Sequence, residues 1–205
     1  MFEGFRGCCL SVLIIPLLCC VLAAGAAIFI YASAPEPPVG GDFRPTIADA
    51  NTFNNALNQA ASDAMDGGVF SLSFDEVSLS SWIALNGADL ARERGYSFPF
   101  TDVQVGLDDD VMTFYGRLTT ASLNLPVEIV IEPRVDAAGH LDLNIQEAHL
   151  GALGVPPGLL GNVTRELEDT LTRTLTDLNA DYRLSDPITV DNGRFTAYGQ
   201  VQGQF

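Results

Sequence analysis

The chain has 205 residues, of which 26 are acidic and ten are arginine with no lysine, so its formal charge is −16. A nucleic-acid-binding protein needs a basic surface that neutralises phosphates, and this composition excludes that class of partner. The four cysteines all lie within the first twenty residues, which excludes disulfides, cysteine-ligated metals and cysteine nucleophiles from the rest of the chain.

A short N-terminus at residues 1–9 precedes an uncharged apolar segment at residues 10–31. As a helix this segment would extend for about 33 Å, enough to cross a hydrocarbon core of about 30 Å. Ala32-Ser33-Ala34 imitates a signal-peptidase site, but the apolar run is longer than that of a cleaved signal peptide. We therefore predict an uncleaved, single-span signal anchor in the cell membrane.

The charges on either side of the predicted span set its orientation. Arg6 lies on the N-terminal side, whereas Glu36 and Asp42 precede the first arginine on the other side. Because the positive charge lies on the N-terminal side, we predict that the N-terminus is in the cytoplasm and the C-terminal part is outside it. Cys8 and Cys9 would then lie at the inner edge of the membrane, either acylated or as unmodified thiols.

Residues 32–45 are rich in proline and contain two adjacent glycines. This composition is typical of a semi-extended, poorly packed spacer, so we predict a tether between the membrane and an extracytoplasmic domain at residues 46–205. A domain of this length can bury a sizeable core.

Hydrophobic periodicity predicts alternating elements in the first part of this domain. In chain order they are a helix over 46–65, a strand over 69–74, a second helix over 80–94 interrupted by Gly87, and strands over 101–107, 111–119, 124–134 and 141–145. The acidic turn Asp108-Asp109-Asp110 joins the first two strands of the last group into a hairpin.

The clearest periodicity in the chain lies at residues 158–180, after Pro156-Pro157. Its leucine stripe predicts an amphipathic helix of about 35 Å, long enough to lie across a four-stranded sheet. Two final strands flank Asn192-Gly193, a strong hairpin signal. The order of elements predicts an α+β fold with antiparallel pairing and excludes a doubly wound sheet.

Four phrases of the domain, taken in order, resemble one family: VFSLSFDEVSLSSWIALN, FTDVQVGLDDDVMTFYGRL, LPVEIVIEPRVDAAGHLDLNIQEAHLGALGVP and ITVDNGRFTAYGQV. With the membrane anchor and the long helix, they resemble the bacterial YpmS-like and LmeA-like extracytoplasmic proteins over residues 46–202. Members of that group are similar to tubular lipid-binding domains. The resemblance implies a curved antiparallel sheet that wraps a long amphipathic helix and leaves an apolar groove for an acyl chain or isoprenoid.

Residues that commonly carry catalysis are sparse. His149 lies near Glu147 and Asp142 in the sequence and His140 falls in a turn, and we interpret both histidines as exposed polar residues at strand ends. The Asp108-Asp109-Asp110 run lacks the ligand spacing of a calcium loop, so we interpret it as a solvated turn. The sequence predicts no catalytic residue, no metal site and no cofactor.

The long apolar stripes, together with the lack of catalytic motifs, favour a non-enzymatic domain that binds a lipid or another elongated apolar ligand in a groove. The alternative is a ligand-free protein-interaction or scaffold domain of an envelope complex, and a hydrolase that uses His149 is a third hypothesis. The predicted lipid-binding residues lie on the central strands and the long helix. They are Phe114, Leu118, Leu125, Val127, Ile129, Leu143, Leu167 and Leu171.

The predicted topology has a direct test. Protease added to intact cells or spheroplasts should shorten the protein by the whole domain, because the tether at residues 32–45 lies outside the membrane. Immunoblotting of the membrane fraction measures the shortening. Protection of the domain in intact cells would contradict the orientation.

Overall fold

The structure is a computed structural model that describes residues 35–93, 95, 97–119, 124–156 and 182–201. Over these residues the fold is α+β, with curved antiparallel sheets and two helices. The elements are α1 (Ile47–Gly67), β1 (Val69–Asp75), α2 (Glu76–Glu93), β2 (Phe100–Asp108), β3 (Val111–Thr119), β4 (Asn124–Val135), β5 (Leu141–Leu150), β6 (Leu153–Gly154), β7 (Tyr182–Asp191) and β8 (Arg194–Val201).

The strands form two sheets in which all neighbours are antiparallel. The large sheet has the order β2-β3-β4-β5-β6, and the small sheet has the order β1-β8-β7. The predicted α+β class and both predicted hairpins are confirmed. The division into two sheets and the two-residue strand β6 were not foreseen.

The helices begin and end at residues whose local chemistry fixes the boundaries. The Thr46 side chain accepts a hydrogen bond from the Asp49 amide at the start of α1, and Gly68, with φ of 70°, ends the helix in the left-handed region. Helix α2 begins four residues before the predicted position because the Asp75 carboxylate accepts a hydrogen bond from the Ser78 amide, at 2.8 Å.

The predicted interruption of the second helix at Gly87 is wrong. Helix α2 continues through this residue to Glu93. A β-carbon at Gly87 would stand 3.1 Å from the Phe98 ring. The glycine therefore provides room for an aromatic side chain from outside the helix, and its cost in helix propensity is offset by that contact.

Aromatic side chains join the small sheet to the two helices. Phe74 and Phe195 stack with ring centroids 4.7 Å apart, and Phe53 of α1 contacts both Phe74, at 5.0 Å, and Trp82 of α2, at 5.1 Å. Such pairs contribute about 0.5–1.5 kcal/mol beyond the area they bury. The same cluster includes Leu107 of β2, so it also attaches the large sheet.

The free edge of β2 is covered by the first turns of α2 and by the turn between β7 and β8. The Ser80 hydroxyl accepts a hydrogen bond from the Val105 amide, at 2.7 Å, and donates one to the Val105 carbonyl, at 3.3 Å. At Leu107, the Glu76 carboxylate accepts from the amide and the Gly193 amide donates to the carbonyl. The outward backbone groups of both β2 residues are thus satisfied, which removes an open strand edge.

Two predicted segments lie outside the described residues, namely the membrane span at 10–31 and the long helix at 158–180. Over the part of the chain that the structure describes, no helix has the length and apolarity needed to cross a bilayer. The predicted tether at 32–45 is described from Pro35 onward. Its expected poor packing is wrong for Pro38–Gly40, which contact β2.

The Ser80 contact predicts a specific loss of stability. Ser80→Ala would leave the Val105 amide without its partner, and both residues are buried, so we expect the free energy of unfolding to fall by about 1–3 kcal/mol. Urea unfolding monitored by Trp82 fluorescence measures this change.

The neighbouring Ser81→Ala is the matched control. Ser81 is as buried as Ser80, but it accepts only one long hydrogen bond, at 3.4 Å, from the Thr46 amide. Loss of this hydrogen bond should therefore lower the free energy of unfolding by less than Ser80→Ala does. Equal losses in the two variants would show that burial, and not the bond to the β2 edge, sets the effect.

Candidate functional site

One face of the large sheet is apolar across all of its long strands. The register pairs Phe114 of β3 with Ile129 of β4, and Leu118 with Leu125. Val127 lies between Leu125 and Ile129 on the same face, since alternate residues of a strand point the same way. Leu143 of β5 pairs with Pro133, which also belongs to this face. The six predicted lipid-binding residues on described strands thus share one face, whereas Leu167 and Leu171 lie outside the described residues.

The apolar face has a closed end and an open end. At the closed end, Met112, Val135 and Leu141 pack against the core that the small sheet and the helices share. In the middle, Ile129 and Leu143 are buried with 5% and 2% of their surface exposed. The open end consists of Leu118, Leu125, Val127 and Leu150, all of which are only half-buried.

Gly116 lies at the open end, between Phe114 and Leu118 on β3 and opposite Val127 of β4. It has no side chain to contribute to the face, so it leaves a small notch among its neighbours, in which the glycine itself is buried. A β-carbon placed there would meet the rings of Phe100 and Phe114 at 3.5 Å, an ordinary contact distance. A glycine inside a strand often marks a place where another group approaches closely.

Three phenylalanines form a row along one side of the notch. Phe98 contacts Phe100 edge-to-face with ring centroids 5.5 Å apart, and Phe100 contacts Phe114 in the same way at 5.6 Å. Phe98 also packs on Gly87 of α2. The row therefore joins the second helix to the apolar face and forms a wall of the open end.

The opposite face of the large sheet is polar. Tyr115, Glu128 and His149 occupy neighbouring positions across β3, β4 and β5. Further along β4, Glu132 accepts hydrogen bonds from Arg134 and from Gln146. The hydrogen bond and the positive charge of Arg134 lower the pKa of Glu132 despite partial desolvation. The contrast between the two faces indicates that only one of them is suited to an apolar ligand.

The structure brings His149 opposite Glu128, with Glu147 two residues away on the same face of β5. Asp142 lies at the other end of β5. The His149 side chain makes no hydrogen bond to any described residue, so no described carboxylate holds this histidine in place as a base. The described residues also contain no group of three or more histidine, cysteine or acidic side chains that could hold a metal ion.

The acidic turn and the second histidine have structural contacts. Asp109 and Asp110 have positive φ values of 51° and 64°, as tight hairpin turns require, and the Asp110 amide donates to the Val190 carbonyl at 2.9 Å. His140 lies in the turn between β4 and β5, with its ring 6.4 Å from the Tyr182 ring.

The turn between β4 and β5 fixes the small sheet at the closed end of the apolar face. The Asp136 carboxylate accepts hydrogen bonds from the amides of Ala138 and His140, both at 2.8 Å. These backbone hydrogen bonds, with that of His140 the largest cause, lower the pKa of Asp136. The Gly139 carbonyl in the same turn accepts from the Leu184 amide of β7, at 2.7 Å.

A separate depression of about 680 Å³ lies at the end of α1 and on the small sheet. Its lining includes Asp66, Ser71, Ser185 and Tyr198. None of the six predicted lipid-binding residues on the described strands lines it. It is open and lies on the small sheet, so it does not match the elongated apolar site that the sequence predicts on the central strands.

Comparison with protein families, with curated proteins and with solved structures found no match for this chain. The resemblance to the YpmS-like and LmeA-like proteins therefore stays a prediction.

Sequence reasoning identified the apolar face but missed Gly116 and the phenylalanine row. The alternation of apolar residues on β3 carries the signal for Gly116, because the glycine occupies an apolar position between Phe114 and Leu118. Phe98 and Phe100 carry no such signal, since their contacts depend on how α2 lies against the sheet.

The lowered pKa of Asp136 predicts acid sensitivity of the closed end. A carboxylate whose pKa is lower in the folded state stabilises the fold above its unfolded pKa, and this contribution is lost as the pH falls through the folded value. Asp136→Asn should therefore be less stable than the wild type at pH 7, and the difference should narrow toward pH 3. Thermal unfolding followed by circular dichroism at several pH values measures this.

Asp66→Asn is the control for this series, because Asp66 is exposed and its side chain makes no hydrogen bond to another described residue. Its stability should follow the wild type at every pH. A constant difference between Asp136→Asn and the wild type across the series would contradict a role for ionisation.

Proposed function

We propose that this protein is a membrane-anchored extracytoplasmic protein that binds a lipid or another elongated apolar ligand along the apolar face of its large sheet, without catalysing a reaction. The observation that carries the proposal is the open end of that face, where Leu118, Leu125 and Val127 are half-buried around the notch at Gly116. From Leu125 to Val135 the whole face extends for roughly 33 Å along β4. Its closed end packs against the core, so the extended hydrocarbon chain of this proposal enters at the open end.

The positions at which the described chain stops and resumes support a second layer that covers this face. Val155 donates its amide to the Ala148 carbonyl, beside the open half of β5, and the chain returns at Tyr182, near the turn at Gly139. These two points lie at opposite ends of β5, about 24 Å apart by strand geometry. The amphipathic segment at 158–180 has to connect them. We propose that its leucine stripe, with Leu167 and Leu171, lies along the face and that the ligand lies between.

Charge supports the same mode of binding. The chain carries 26 acidic residues against ten arginines, so an anionic lipid surface would repel it. The polar outer face of the large sheet offers no cluster of cations to attract a headgroup. Recognition therefore depends on the apolar part of the ligand, and burial of about 25 cal/mol per Å² of apolar surface supplies its affinity.

The alternative is a protein-interaction or scaffold domain without a ligand. The observation in its favour is a set of exposed apolar side chains away from the sheet face, at Met65, Val69 and Tyr198, with 70%, 63% and 55% of their surface exposed. A protein partner of an envelope complex would cover such residues. In that case the apolar face is ordinary core and has no room for a ligand.

Photo-cross-linking distinguishes the two functions. The full-length protein is incubated with a palmitate analogue that carries a photoreactive diazirine, and the cross-linked peptides are identified by mass spectrometry. We expect cross-links in β3 and β4 around Gly116 and Val127. Gly116→Val fills the notch and should lower their yield roughly tenfold, with the free energy of unfolding changed by less than about 1 kcal/mol, because its β-carbon meets Phe100 and Phe114 at an ordinary contact distance of 3.5 Å.

Thr113→Val is the matched control, since Thr113 lies on the same strand, is half-buried and points to the opposite face. Its cross-links should equal those of the wild type. Cross-links confined to residues 10–31 would exclude the groove. A loss of about 1–3 kcal/mol in Gly116→Val would show a tightly packed core and would favour the scaffold.

A further inference from the structure

The described part of the tether lies against the outer face of β2. Gln104 makes two hydrogen bonds to it: its Oε1 accepts from the Val39 amide at 3.0 Å, and its Nε2 donates to the Gly40 carbonyl at 3.1 Å. Gln104 itself is only 5% exposed. A buried side chain that binds both backbone groups of a peptide segment fixes the position of that segment along the strand.

The tether also makes a close packing contact with β2, between Pro38 and Gly106. Pro38 packs so closely on Gly106 that a β-carbon at residue 106 would stand 2.5 Å from the Pro38 β-carbon. Such a distance is impossible between carbon atoms that are not bonded, so only glycine allows the tether to lie there. Gly106 has an ordinary strand conformation, and the contact with Pro38 is therefore the steric constraint at this position.

The docked segment also has internal structure. The Gly40 amide donates to the Pro37 carbonyl at 3.1 Å, and the Phe43 amide donates to the Gly40 carbonyl at 3.2 Å. Two successive turns thus hold residues 37–43 in a compact form. A compact segment that is fixed to β2 cannot act as a flexible spacer.

We infer that Pro37–Phe43, held by Gln104 and Gly106, is a clamp that keeps the domain close to the bilayer. The inference rests on the membrane anchor of the proposed function. With the clamp closed, the free connection is residues 32–36, which reach at most about 20 Å; with the clamp open, residues 32–45 reach about 50 Å. The clamp therefore sets how far the apolar face stands from the membrane.

Two variants open the clamp by different means. Gly106→Ala adds the β-carbon that collides with Pro38, and alanine suits a strand at least as well as glycine does. Gln104→Leu keeps nearly the same volume but removes both hydrogen bonds to the tether. Gly154→Ala in β6 is the matched control, because a β-carbon there has no neighbour closer than His149 at 4.0 Å.

Hydrogen exchange in the full-length protein measures the clamp directly. Peptides that contain Val39 should be protected in the wild type and in Gly154→Ala. They should exchange roughly tenfold faster or more in Gly106→Ala and Gln104→Leu. Peptides from β3 and β4 should exchange at wild-type rates in all four proteins, which shows that the domain remains folded. Unchanged protection of Val39 in both clamp variants would overturn the inference.

Energy transfer measures the distance to the bilayer. Trp82 is the single tryptophan of the chain, and it serves as donor in the full-length protein reconstituted in phosphatidylcholine vesicles with dansyl-labelled phosphatidylethanolamine as acceptor. Transfer should be lower in the two clamp variants than in the wild type and the control. Equal transfer in all four proteins, or a chain that does not float with the vesicles, would overturn the inference.

The results of the hydrogen-exchange and energy-transfer experiments do not depend on ligand binding. Gly106 and Gln104 face away from the apolar side of the sheet, so the cross-linking yield of the palmitate analogue at β3 and β4 does not report on the clamp. Failure of the cross-linking experiment would reject the lipid site and leave the clamp standing. Failure of exchange and energy transfer would reject the clamp and leave the lipid site standing.

Discussion

The described structure depends on how the free edge of β2 is satisfied. This strand ends the large sheet, and the outward amides and carbonyls of Val105 and Leu107 would otherwise face a neighbour without partners. Ser80, Glu76 and Gly193 supply those partners. Because they belong to α2 and to the turn between β7 and β8, the same bonds that close the edge also hold the helices and the small sheet in place. An unsatisfied buried amide costs about 1–3 kcal/mol, so this junction fixes the relative positions of the two sheets.

That junction explains why the apolar face of the large sheet has two unlike ends. Near β2 residues 105 and 107, the small sheet and the helices cover the face, and they supply the aromatic cluster around Phe74 and Phe195. The strands of the large sheet continue beyond this cover. Leu118 and Leu125 lie outside the core that the small sheet and the helices share, and both are half-buried.

Much of the fold could be predicted from local sequence patterns. The strand over 111–119 has the predicted bounds, and the turns at Asp108–Asp110 and Asn192–Gly193 are the predicted hairpins. The start of α2 was misplaced because the periodicity of apolar residues begins later than the cap at Asp75. The division into two sheets was missed for a different reason, since it depends on the pairing of β1 with β8, and no local pattern contains information on such distant partners.

In the candidate site, too, some residues could be predicted from a local sequence pattern and others depend on contacts between distant elements. The six residues on one face of β3, β4 and β5 follow from the alternation of side chains along a strand. The notch at Gly116 and the row of Phe98, Phe100 and Phe114 depend on contacts between elements. The contact of Pro38 with Gly106 also joins distant parts of the chain. A composition rich in proline and glycine indicates a loop, but it does not show whether that loop is bound to a strand.

The pairing of β1 with β8 has a consequence for how the protein is made. Val69 pairs with Gln200, so the small sheet joins the first described strand to the last described one. The long strands of the large sheet are consecutive in the chain and can pair as they emerge. Contacts between residues far apart in sequence slow folding. The small sheet can therefore close only after the whole domain has been synthesised and, in the predicted topology, moved across the membrane. Until then the apolar residues of β1 have no partner strand, and the newly made chain is most exposed to aggregation and proteolysis at this stage.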